Sequence, residues 1–136
     1  MWRHNPNSCV RKDGPYHSVK CWPHMIDAYE ALIDDLSARS FGIQAAFYSK
    51  YCLYATYYEM SHKPWHDEGI EQYIIATYNR IVQFYNKYHL MIESVSEENT
   101  KKVIEMTQKV SQRHGKLGEM PPFDEWLNSI LKIFKG

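Results

Sequence analysis

The sequence carries no excess of charge of either sign: lysine plus arginine and aspartate plus glutamate number 16 each. That balance excludes an overall field that would gather the chain onto nucleic acid or an anionic membrane. Cysteine is scarce and odd in number, three in all, which argues against a disulfide framework and for a reducing compartment. A Cys9–Cys21 bridge with Cys52 as a buried thiol is the alternative. Long apolar runs are also missing. The most apolar stretch, 43–60, is interrupted by Lys50 and Glu59, so no membrane-spanning helix is predicted. No basic segment followed by an apolar run stands near Met1, which predicts an intracellular protein, in the cytosol or inside an organelle without a cleaved presequence. The chain has no Gly-x-Ser-x-Gly elbow, P-loop or Gly-x-Gly-x-x-Gly motif, and no internal repeat, heptad or low-complexity tract.

What is present suits one soluble all-α domain. At 136 residues, 44% apolar and 15% aromatic, the chain can bury a single core. Charge is unevenly placed. Residues 1–24 hold four bases against Asp13, a net of +3; residues 25–71 carry a net of −5 and residues 72–136 a net of +2. Three prolines (Pro6, Pro15, Pro23) mark 1–24 as an irregular, extended basic arm. The remainder, 25–136, reads as a bundle of roughly five helices.

Apolar spacings of three and four carry that reading. Met25, Tyr29, Leu32, Ile33 and Leu36 give one face of a helix over 25–38, with Asp27, Glu30 and Asp34 as an acidic stripe on another. A second helix, over 43–62, is apolar almost all round, with Phe47 among its core residues. Ser49, Thr56, Glu59 and Lys63 leave only a narrow polar seam, which marks this helix as the most buried. Pro64 ends it. A long helix over 68–94 follows, with Arg80, Gln83 and Lys87 facing away from its apolar stripe. Ser96 opens a fourth helix, whose stripe is Val103, Met106, Thr107 and Val110, and Gly115 and Gly118 close it. After Pro121-Pro122, a short helix presents Phe123, Trp126, Leu127, Ile130 and Phe134.

Three groups of residues could carry chemistry. Glu59 and His62 form a Glu-x-x-His pair, the unit used by di-iron bundles, but a second pair and the accompanying carboxylates are missing. Adding His66 gives a His-x3-His spacing and a mononuclear site of Glu59, His62 and His66, against which Pro64 counts. In the arm, Cys9, His17, Cys21 and His24 supply the ligand types of a structural zinc, the one cofactor the sequence suggests. Each set competes with a plainer reading as surface or core residues.

Tyrosine stands above background, at 11 residues against seven leucines. Tyr48, Tyr51, Tyr54 and Tyr58 run along the second helix, and Tyr78 and Tyr85 along the third. Rings with a polar tip suit protein interfaces. The expected function is therefore a non-enzymatic interaction module: an accessory subunit, adaptor, or inhibitor or immunity-type factor. Its tyrosine faces would meet another protein or a second copy of the chain, with Asp27, Glu30 and Asp34 adding electrostatic selectivity. The alternative is a metal-dependent helical enzyme built on Glu59, His62 and His66.

Overall fold

The structure, a computed structural model, describes residues 16–134. Among the described residues five helices follow one another: α1 (His17–Ala38), α2 (Gly42–Glu59), α3 (Glu71–Glu93), α4 (Glu97–His114) and α5 (Phe123–Ile133), with a 3₁₀ turn at Lys63–His66. Among the described residues there is no strand, and no helix is long and apolar enough to cross a membrane.

The first helix corrects the sequence reading at its start. It begins at His17 rather than Met25 and carries Pro23 within it. An interior proline removes one hydrogen bond and costs about 3 kcal/mol, so tertiary contacts must offset it. Val19, Ile26 and Ile33 are buried on one face. The Trp22 indole N–H donates to the Thr56 hydroxyl over 2.9 Å, and the Tyr16 hydroxyl donates to Asp67 over 2.6 Å. These anchors hold residues 17–24 in the helix that local propensity alone would refuse. At its far end Ser40, not Gly42, takes the left-handed conformation that turns the chain into α2.

Helix α2 lies at the centre, packed by α1, α3, α4 and α5. Leu53 and Cys52 are fully buried, whereas Phe47 is only half-buried. Of the narrow polar seam, Ser49, Thr56 and Glu59 are all buried and Lys63 is exposed. The Ser49 hydroxyl donates to the Ala46 carbonyl (2.6 Å) and that of Thr56 to the Cys52 carbonyl (2.9 Å). Small side chains with satisfied hydroxyls allow neighbouring helices to approach closely. Burial also pushes the Cys52 thiol well above its ordinary pKa.

The acidic stripe of α1 is answered within the chain. Arg80 reaches Asp27 (2.7 Å) and Glu30 (3.4 Å), and Lys87 reaches Glu30 (3.5 Å) and Asp34 (3.0 Å). Tyr88 donates a further hydrogen bond to Asp34 over 2.5 Å. Asp27 to Asp34 and Arg80 to Lys87 are the same two-turn step, so α1 and α3 run parallel with their charges in register.

Helix α5 closes the opposite side of α2. Phe123 stacks on Tyr54, and Trp126 meets Tyr57 edge-on. Tyr57 donates to the Pro121 carbonyl in the connection before α5.

Candidate functional site

The tyrosines singled out from the sequence divide into two groups. Tyr54 lies under Phe123, 3.9 Å between ring centroids and 12° from parallel, and burial pushes its hydroxyl up to about 12. Tyr78 packs against Trp126 and Phe134, Tyr58 against Tyr57, and Tyr85 beside His89. Tyr54 and Tyr78 are thus occupied by α5. Tyr48 and Tyr51 instead join Phe47 and Tyr29 in a half-buried aromatic cluster toward α1, with Tyr29–Tyr51 at 5.9 Å and Phe47–Tyr48 at 5.5 Å. Burial raises the hydroxyl pKa of both Tyr29 and Tyr51. Asp27, Glu30 and Asp34, expected to lend selectivity toward a partner, pair with Arg80 and Lys87 of α3.

Neither metal set assembles among the described residues. Pro64 stands in the first turn of the 3₁₀ segment after α2, so His62 and His66 never share an α-helix. His66 is exposed, while His62 is buried against α4. In the zinc set, Cys9 lies outside the described residues. His17 Nδ1 and Cys21 Sγ approach to 3.7 Å, but His24 stands exposed beside Asp27 at 3.9 Å. No group of three or more His, Cys, Asp or Glu side chains among the described residues could hold a metal ion.

The structure does bring together a cavity of about 240 Å³ between α1, α2 and α4. Its floor is a stripe of α2 residues four apart: Tyr51, Ala55 and Glu59. Trp22, Met25 and Tyr29 of α1 form one wall, and Thr107, Val110 and Ser111 of α4 the other. The space exists because Ala55, a single methyl, stands between two long side chains. Glu59, His17 and His114 complete the lining. A second cavity of about 380 Å³, lined by Tyr16, Trp65 and Lys116 among others, meets the first at Ser18, Glu59 and His114.

Glu59 and His62 are therefore neighbours at the bottom of a cavity, with side chains 7% and 8% exposed and Oε2 4.0 Å from Nε2. Ser111 Oγ shares a hydrogen bond with the same ring nitrogen at 2.7 Å. This is no nucleophile relay, which needs the acid on the ring nitrogen opposite the serine. The Nδ1 side is pressed by Gly115, where an added Cβ would stand 2.8 Å away. What remains is a buried carboxylate at the end of an apolar, aromatic-walled space.

Sequence reasoning found Glu59 and His62 through their one-turn spacing but missed Ser111 and Gly115. The signal was there. Val103, Thr107, Ser111 and Gly115 are small residues four apart, and the first three are the buried line of α4. Met106 and Val110, assigned to that stripe, are exposed. Comparison with protein-family models, curated proteins and solved structures gives no match.

Proposed function

We propose that this chain is a protein-interaction module that receives an amphipathic helix of a partner on the face of α2 left open between α1 and α4. One observation carries the reading: α1 and α4 pack on α2 rather than on each other, and the channel between them is apolar. Tyr51 lines it half-buried, in ring contact with Phe47 and Tyr48 one turn earlier. Its rims carry Met25 and Leu32 on α1 and Met106 and Val110 on α4, exposed by 42%, 39%, 44% and 40%. Contiguous apolar surface on a folded chain marks an interaction site, and aromatic residues and methionine are enriched at interface centres. Flanking ridges with an aromatic floor suit a helix presenting side chains three and four apart. An accessory subunit, adaptor or inhibitor-type factor would use such a face.

The test compares proteins retained by the wild type, by a Met25→Glu/Val110→Glu double variant, and by Leu90→Glu, an exposed apolar residue on α3. A partner held by the wild type and by Leu90→Glu but lost by the double variant supports the reading. An identical retained set for all three overturns it. Sedimentation of the same proteins reveals whether the occupant is a second copy of the chain.

A further inference from the structure

We propose that the cavity between α1, α2 and α4 binds a small organic ammonium ion, with the Glu59 carboxylate as its counter-ion and Trp22, Tyr29 and Tyr51 as its apolar walls. The proposal stands whether or not the open face also receives a protein. Three features carry it together. The first is the carboxylate itself. Glu59 lines the cavity with its side chain only 7% exposed, and among the described residues its one ionisable contact is His62 at 4.0 Å. A carboxylate out of water needs a charged or hydrogen-bonding partner, and His62 at 4.0 Å stands beyond hydrogen-bond reach.

The second feature is the charge of the lining. No lysine or arginine contributes to it; the titratable groups besides Glu59 are His17, Cys21, Tyr29, Tyr51 and His114. Glu59 is the one carboxylate among them. The third is shape. At about 240 Å³ the space falls below the roughly 300–1,000 Å³ of drug-sized pockets, so its ligand is small. Aromatic faces attract cations as well as apolar groups, and the Trp22 ring is held in place by its hydrogen bond to Thr56. An amine on a short arm from one apolar ring would place its ammonium at Glu59 and its ring against Trp22, Tyr29 and Tyr51.

The probes are 2-phenylethylamine, charged at neutral pH, and 2-phenylethanol, its neutral counterpart of the same length, titrated into the full chain and followed by NMR and Trp fluorescence. The amine should bind with a Kd of about 1 mM or tighter, the range for so small a ligand, and at least tenfold more tightly than the alcohol. Glu59→Gln keeps the size and removes the charge; it should weaken the amine at least tenfold and leave the alcohol unchanged. Equal binding of the two probes, amine binding untouched by Glu59→Gln, or no amine binding at tenfold higher concentration each overturns the proposal. Should Glu59→Gln fail to fold, Ala55→Leu, which fills the space from the floor, decides in its place. Loss of amine binding with the helical circular dichroism intact supports the site, and retained binding rejects it.

Discussion

Gly115 and Gly118 owe their place to what stands opposite them rather than to backbone freedom. A Cβ on Gly118 would meet the Ser61 carbonyl oxygen at 2.6 Å, and one on Gly115 would meet His62 Nδ1 at 2.8 Å. The two contacts differ in stiffness. A backbone carbonyl at the end of α2 cannot withdraw without moving the chain, whereas an imidazole can turn away from Ser111. Overpacking costs typically 1–3 kcal/mol, so Gly118→Ala should lose about 2–3 kcal/mol and Gly115→Ala about 1 kcal/mol. Urea unfolding measures both, and the reverse order would refute the argument. From sequence, the two glycines read only as a helix stop. Their second role could not be seen, because it depends on residues more than fifty positions away. Glu59 and His62 were visible as a pair because one helical turn joins them; that they are buried, and that Ser111 completes the cluster, are facts of packing between α2 and α4.

Between elements, the charges of α1 and α3 show the same limit. Periodicity marked Asp27, Glu30 and Asp34 as a stripe and Arg80 and Lys87 as another, yet gave the first to a partner and turned the second away from the core, because nothing local says which stripes meet. The Tyr88 hydroxyl, and after it the Lys87 ammonium, hold Asp34 below the usual carboxylate range. A carboxyl depressed in the folded state contributes stability above its unfolded value near 3.9, and that stability is lost as pH falls through the lower folded value. Asp34→Asn should therefore cost up to about 1 kcal/mol at pH 7, the ceiling for a pair this exposed. The difference should close as the pH drops below about 4. An unchanged gap between pH 7 and pH 2 in chemical denaturation would show that the carboxylate charge is not responsible. The start of α1 was misjudged for a related reason: Pro23 and the polar residues before it speak against a helix locally, and tertiary contacts such as Trp22 on Thr56, Tyr16 on Asp67 and the burial of Val19 outweigh them.

For the molecule as a whole, the all-round apolar character of α2 was enough to place it at the centre, and every other helix packs on it. Stability should then be graded outward. Amides of α2 around Cys52 and Leu53 should show the slowest hydrogen exchange, and α4, which packs mainly on α2, should exchange faster than α1, which has both α2 and α3 behind it. Uniform protection across α1, α2 and α4 would mean that the bundle opens only as one unit. The stacking of Phe123 on Tyr54 carries a consequence of another kind, in time. A ribosome makes α2 well before α5, and at roughly 5–20 residues per second the interval between Tyr54 and its cover is several seconds. Throughout it, the aromatic side of α2 that α5 will shelter stands bare on a nascent chain. Newborn copies of this protein should be most prone to chaperone capture and to mispairing with one another during that window, before Phe123 arrives.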